Sequence, residues 1–148
     1  MSYMLAMIRL RPLAAIGCLL TCAQTPAPGA YHVGEVWQYH TRPQDRGSRV
    51  KIQRIEVDPA YPAAGPVYHI SIVGLHLRNP RVQGLLTHAA VSRQTLDASL
   101  TVPSRSKPHF PSANDGIARW KKARGGVFTI SLRDIVDIVD QQTKPMRK

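Results

Sequence analysis

The chain has 148 residues, a length that suits one domain whose core is large enough to fold without disulfide or metal staples. Its 20 Lys and Arg residues outnumber its 9 Asp and Glu residues, and the formal net charge of +11 points to acidic partners. No apolar run reaches the ~18–20 residues of a membrane-spanning helix, so no such helix is predicted.

Residues 1–22 are predicted to be an export signal. The segment MSYMLAMIRLR carries two basic residues and no acidic residue, and PLAAIGCLLT adds about ten apolar or small residues, the length of a signal's hydrophobic region. Met7 is an equally suitable start, because MIRLR forms a more compact basic region. Removal of Arg9 and Arg11 with the signal lowers the formal net charge from +11 by two units to +9, so the mature chain stays strongly basic.

Two processing routes are open at the end of this signal. Small residues around the site favour ordinary cleavage after Ala23, whereas LLTC (19–22) resembles a bacterial lipobox in which Cys22 receives a lipid. Thr21 departs from the Gly, Ala or Ser that usually precedes the lipobox cysteine. A third interpretation is that the segment is retained as a helix of the fold. Both processing routes leave no cysteine pair in the mature domain, and residues 23–30 then form a Pro/Ala-rich tether.

The residues that follow are predicted to form one α+β domain over 31–142, ending in a basic tail at 143–148. The patterns predict strands at VGEVWQYH (33–40), RVKIQRIEV (49–57) and VYHISIVGLHL (67–77) and a short strand or extended segment at GLLTHAAV (84–91). In the second strand, the apolar residues share one face only if a bulge near Gln53 and Arg54 adds one residue. The first two strands are then expected to form a hairpin.

Three helices and one further strand are predicted in the second half of the chain. Ser92 is expected to cap a helix over RQTLDASL, Asp115 a short basic helix over GIARWKKAR, and Ser131 a helix over LRDIVDIVDQQ. VFTIS (127–131) is predicted to be the strand between the last two helices. Hairpin-linked strands followed by helices indicate an α+β fold with an antiparallel sheet of about 4–5 strands and two or three helices packed on one face.

The histidines are the first candidates for chemistry. His69 lies in the middle of a strand between apolar neighbours, and His40, His69 and His88 would converge in a suitable fold. Their spacing matches no metal-ligand signature, so neither a metal nor a cofactor is expected. The aspartates that recur every three residues from Asp134 to Asp140 are interpreted as a solvated helix face near a helix start rather than as a metal site.

Two carboxylates carry the enzymatic hypothesis. Glu35 and Glu56 lie on the two strands that are expected to pair, and they would serve as acid and base on a glycoside if they stood ~5–10 Å apart in a cleft. The chain contains no nucleophile elbow, no phosphate-binding loop and no metalloprotease helix motif. No catalytic residue is therefore assigned, and a non-enzymatic role is favoured.

A basic and aromatic surface is the favoured binding site. Basic residues gather beside the first predicted turn and around the tryptophan of the second helix, and the large aromatics of the first strand share one face, which would bind a ligand if it were uncovered. The candidate binding residues are Trp37, Tyr39, Arg42, His69, Trp120, Lys121 and Lys122. The same pattern also fits aromatics packed in the core and a basic charge that reflects composition alone.

Three motifs resemble those of a family of small bacterial proteins of unknown function. They are GEVWQYHTRP (34–43), VYHIS (67–71) and Trp120 followed by GGVFTI (125–130). The resemblance spans residues 32–140 and implies that this block is one domain. It implies no activity, so no catalytic residue is carried over.

These observations predict an exported, non-enzymatic binding module, free in the periplasm, secreted, or anchored through Cys22. Its partner would be an acidic protein or an anionic envelope component, and an inhibitor or immunity-type protein is one concrete form. One alternative is a hydrolase of cell-wall or other polysaccharides that uses Glu35 or Glu56 with a histidine. The other is a basic nucleic-acid-binding protein, which requires that the first thirty residues are not a signal.

Overall fold

The computed structural model describes residues 31–57, 59, 62, 65–82 and 84–145. The predicted signal, the tether, Cys22 and the last three residues of the basic tail lie outside the described residues. The strands are β1 (Val36–Tyr39), β2 (Arg49–Val57), β3 (Pro66–Val73), β4 (Leu85–Val91) and β5 (Leu100–Pro103). The α-helices are α1 (Arg93–Ser99), α2 (Asn114–Lys122) and α3 (Leu132–Gln142), and short 3₁₀ turns span Pro43–Asp45 and Pro80–Val82.

The five strands form one antiparallel sheet in the order β4-β3-β2-β1-β5, which confirms the predicted α+β class and the β1–β2 hairpin. β5 is an addition that the sequence pattern does not predict. It forms because Leu100 pairs with Tyr39 immediately after α1 ends, and the His40 N–H also donates to the Ser99 carbonyl. No helix in the described part of the chain has the length and apolar character needed to cross a membrane.

β2 contains the predicted bulge. Its register against β3 steps from Ile52 to Arg54 across consecutive residues of the partner strand, so Gln53 is the additional residue. Ile55 therefore returns to the face that carries Ile52 and packs against the core, whereas Val57, at the end of the strand, is exposed. Apolar and polar residues do not alternate regularly along this nine-residue strand. The bulge nevertheless places the apolar residues on either side of it on the same face.

The main core lies on the side of the sheet that α1 and α3 cover. β3 contributes Tyr68, Ile70 and Ile72 to it, and the helices contribute Leu96, Leu132, Ile135 and Val136. α1 begins at the predicted cap, where the Ser92 hydroxyl accepts a hydrogen bond from the Thr95 N–H. α3 also has its predicted bounds and cap, since the Ser131 hydroxyl accepts from the Asp134 N–H and donates to the Asp134 carboxylate.

α2 lies on the opposite side of the sheet, so two of the three helices, α1 and α3, pack on one face, which agrees with the predicted two or three. β3 is buried from Val67 to Ile72, so both of its faces need a cover. The second cover consists of α2, through its buried Ile117, and of residues 104–113, where the Pro111 carbonyl accepts from the Gln53 amide. We call this side of the sheet the α2 face.

Two local predictions in this half of the chain are wrong. α2 begins before Asp115, after Ala113, which forms no side-chain cap, so Asp115 lies inside the first turn. The predicted strand VFTIS is reduced to a single parallel bridge between Val91 and Phe128. The segment meets β4 only where that strand ends, and Ser131 then starts α3, which leaves no length for a ladder.

Candidate functional site

A pair of histidines lies at the centre of the α2 face. His69 on β3 and His88 on β4 place their Nδ1 and Nε2 atoms 2.9 Å apart, and their rings stack with centroids 5.1 Å apart at an interplanar angle of 24°. His69 is fully buried and His88 is half-buried. Of the three histidines expected to converge, the structure thus brings these two together, while His40 is exposed at the end of β1.

The pair is electrostatically coupled. A hydrogen bond between two imidazole nitrogens requires one donor and one acceptor, so at least one ring must leave its nitrogen unprotonated at the contact. Burial, together with the positive charge that His69 acquires when it is protonated, lowers the pKa of His88 to about 4. His88 is therefore neutral at pH 7 and becomes protonated only in acid.

Glu56 extends the pair into a row across three strands. Its Oε2 atom on β2 lies 3.8 Å from His69 Nε2, which is ion-pair distance but longer than a hydrogen bond. Lys121 Nζ donates to Glu56 Oε1 at 3.0 Å and lies 2.8 Å from Oε2, and Arg54 donates to Oε1 at 3.3 Å. Hydrogen bonding from Lys121 holds the pKa of Glu56 below its ordinary value, so the carboxylate is ionised near neutrality.

α2 rests directly on both histidines. A Cβ atom added at Gly116 would lie 2.5 Å from His88 Cβ, so only glycine allows the helix backbone to approach the ring this closely. One turn later, the Trp120 ring meets His69 edge-on with centroids 5.1 Å apart. The Trp120 indole N–H donates to the Gly126 carbonyl, which ties the end of α2 to the following segment. Helix spacing therefore couples the two imidazoles to one rigid element.

The aromatic residues proposed to line an open binding face are buried instead. Trp37 is 5% exposed and Tyr39 is 6% exposed, because both point to the side of the sheet that α1 and α3 cover. The Trp37 indole donates to Glu35, and the Tyr39 hydroxyl shares a hydrogen bond with Ser48. Their common strand face was predicted correctly, but the helices remove it from the surface.

Arg42 is also buried rather than part of a basic surface. It is 3% exposed and donates to Asp45, Asp137 and Asp140 at 2.6, 3.2 and 3.0 Å. Asp140 additionally accepts from the Arg78 backbone N–H. The interpretation of the α3 aspartates as a solvated face is therefore wrong for Asp140, which is buried in this ion cluster. Of the partners of Arg42, only Asp45 is close to it in the sequence, whereas the two aspartates of α3 are distant and could not be identified from a local pattern.

The remaining predicted binding residues lie together on α2. Lys121 and Lys122 are exposed, and Trp120 is half-buried between the helix and the histidine pair. Neighbouring residues enlarge this region into a basic surface, which we define by Arg105, Lys107, Arg119, Lys121, Lys122 and Arg124, all exposed. Asp115 is the one acidic residue in the sequence between Ser104 and Gly125.

The two carboxylates considered for acid–base catalysis do not face each other. Glu35 accepts from the His32 backbone and ring and from the Trp37 indole, on the core side of the sheet. Glu56 lies beside His69 on the α2 face. In the described ranges, no set of three or more His, Cys, Asp or Glu side chains is arranged to hold a metal ion.

Comparison with known proteins adds no relative to this description. No protein-family model, no curated protein and no solved structure matches the chain. The resemblance of its three motifs to a bacterial family stays a prediction. Function is accordingly inferred from the side chains of the α2 face.

Proposed function

We propose that the chain is an exported, non-enzymatic binding module whose basic surface engages an acidic protein or an anionic envelope component. The supporting observation is that basic side chains outnumber acidic ones on α2 and on the segments just before and after it. Six exposed basic side chains follow one another there, and only Asp115 opposes them in the same stretch. A surface on which basic side chains outnumber acidic ones accelerates association with acidic partners, and the effect weakens with salt.

Charges elsewhere in the domain are more nearly balanced. Asp137 and Asp140 of α3 pair with the buried Arg42, and Asp97 of α1 lies 3.5 Å from Arg93. These pairs leave little net charge on the side of the sheet that α1 and α3 cover. The six basic residues on α2 and the segments beside it thus face fewer acidic neighbours than those of α1 and α3, which supports one defined binding surface there.

A polysaccharide hydrolase is the second candidate, because Glu56 lies 3.8 Å from His69. Two features weigh against it. His69 is 0% exposed, so a substrate has no access to its ring, and Glu56 is held ionised by Lys121, which makes it a poor general acid. Glu35, on the other side of the sheet, supplies no second catalytic group to this position.

The proposed surface is tested by binding of the full chain to dextran sulfate, a polyanion that stays charged in acid, at increasing salt concentration. We expect the double variant Arg119→Glu, Lys122→Glu to weaken binding by at least about tenfold, since it reverses two charges on the surface. The matched control is Arg133→Glu, Lys144→Glu, which changes the net charge equally at exposed positions on and after α3. Equal weakening by both pairs would show that only net charge matters and would overturn a defined surface.

Export is tested separately by mass spectrometry of the mature N-terminus. Cleavage after Ala23 or a lipid on Cys22 supports a partner outside the cytoplasm, and the lipid would also attach the protein to a membrane. An intact Met1 or Met7 would overturn export and favour the nucleic-acid alternative. In that case, binding to a duplex and to dextran sulfate would be compared at equal salt.

A further inference from the structure

We propose that the His69–His88 pair makes the docking of α2 sensitive to acid: a second positive charge on the pair separates the rings and releases the helix that carries the basic surface. The consequence for partner binding rests on the function proposed above. The release of α2 itself is a property of the free chain and is measured without a partner.

The hydrogen bond between the two imidazoles cannot survive double protonation. With one proton in excess, a charged ring still donates to a neutral ring, and the 2.9 Å contact is retained. With two, both facing nitrogens carry hydrogen, neither accepts, and two like charges stand at contact distance. The rings must then move apart.

The charged groups around the pair lie mainly on the side of His69. From β2, Glu56 lies 3.8 Å from the His69 ring, and Arg54 and Lys121 bind that same carboxylate. From α2 and the turn after it, Asp115 is adjacent to Gly116 and Arg124 is adjacent to Gly125. No carboxylate among the described residues lies within ion-pair distance of His88, so a charge on that ring is not compensated.

α2 packs directly against both rings. The α2 backbone at Gly116 contacts His88, and the Trp120 ring contacts His69. Both contacts come from one side of the helix, one turn apart. Separation of the rings therefore disturbs the contacts that hold α2 against the sheet.

The other contacts of α2 that the structure describes lie mostly at the surface. Ile117 is buried, but the hydrogen bond from Arg54 to Asn114 and the ion pair from Lys121 to Glu56 are both at the surface. A short helix with one fully buried side chain and exposed polar contacts belongs to the parts of a protein that open at low free-energy cost. Release of α2 with the rest of the sheet intact is therefore the expected response.

The size of the effect follows from proton linkage. His88 has a pKa of about 4 in the folded chain and an ordinary value near 6.5 when released. The open form of α2 binds more protons, so the opening equilibrium constant should rise as pH falls from about 6.5 to about 4, by about tenfold in total because solvent screens the half-buried ring, and level off below. A partner bound to the basic surface is then released in acid.

The test is hydrogen exchange of amides in α2 of the full chain between pH 7 and pH 3.5, corrected for intrinsic rates. We expect protection of α2 to fall by about tenfold in total between about pH 6.5 and about pH 4, and to stay well below the protection of α3 at every pH, because α2 opens without unfolding of the sheet. His88→Gln, whose amide keeps a hydrogen bond to His69 without titrating, should remove the pH dependence. His40→Gln, at an exposed position on the same sheet, should retain it.

Three results would overturn the inference: protection of α2 that does not change with pH, a pH dependence that survives in His88→Gln, or protection of α2 equal to that of α3 at each pH. If His88→Gln does not fold, the NMR signals of the histidine rings in the wild-type chain provide the test. The signals of His69 and His88 must then change together over the pH range in which α2 opens. Dextran sulfate binding at pH 7 distinguishes the two proposals. Intact binding without acid opening removes only this inference, whereas absent binding removes the proposed function.

Discussion

Arg42 Nη1 donates to Asp140 Oδ2 at 3.0 Å, joining two residues 98 positions apart in the chain. The same guanidinium binds Asp45 in its own turn and Asp137 on α3. Arg42 therefore connects the turn after β1 to α3, and it does so in a site where it is 3% exposed. This buried ion cluster explains why Arg42, which stands in a basic stretch of the sequence, lies in the interior of the protein.

Arg42→Ala is expected to lower the free energy of unfolding by about 3–5 kcal/mol, because it leaves buried carboxylates without their cation. Urea unfolding at pH 7 measures the change. Arg46→Ala, at an exposed position one residue after the same turn, is the matched control and should change the free energy by less than about 0.5 kcal/mol. Equal losses in the two variants would contradict a structural role for the ion cluster.

Gly116→Ala is expected to destabilise the chain although alanine is the better helix former. The added Cβ would lie 2.5 Å from His88 Cβ, so α2 or the ring must shift, and overpacking of this kind costs about 1–3 kcal/mol. Gly47→Ala is the control, since a Cβ there meets nothing within 4 Å. Thermal unfolding should show a lower Tm only for Gly116→Ala. Equal Tm values for this variant and the wild type would show that α2 does not rest on His88.

The free energy of unfolding should decrease as pH falls from about 6.5 to about 4. The pKa of His88 is depressed to about 4 in the folded chain, so the unfolded chain binds more protons in this interval and is favoured by acid. Solvent screening of the half-buried ring reduces the effect to about 1–2 kcal/mol. Urea unfolding across this range should give a smaller slope with pH for His88→Gln. An unchanged slope would assign the acid sensitivity to other groups.

The local features of the fold were predictable from the sequence. The caps at Ser92 and Ser131, the apolar stripe of α3 and the bulge at Gln53 all depend on residues a few positions apart, and each occurs where its pattern indicates. Capping, helix periodicity and strand alternation are short-range effects, so a single sequence carries enough information to place them.

The features that required contacts between distant residues were not predictable in the same way. β5 exists because β1 offers it an open edge, and VFTIS forms only one bridge because it meets the end of β4. Arg42 is buried because α3 brings two aspartates to it. No pattern within ten or twenty residues contains this information.

The candidate site shows the same division. The sequence by itself identified His69 as a mid-strand histidine, proposed its convergence with His88, and placed lysines beside Trp120. Only the tertiary structure decided that α2 covers the face where the two rings meet, and that Trp37 and Tyr39 lie beneath the other helices. The physical reason is that strand alternation determines which side chains share a face, whereas the packing of distant elements determines which face is covered.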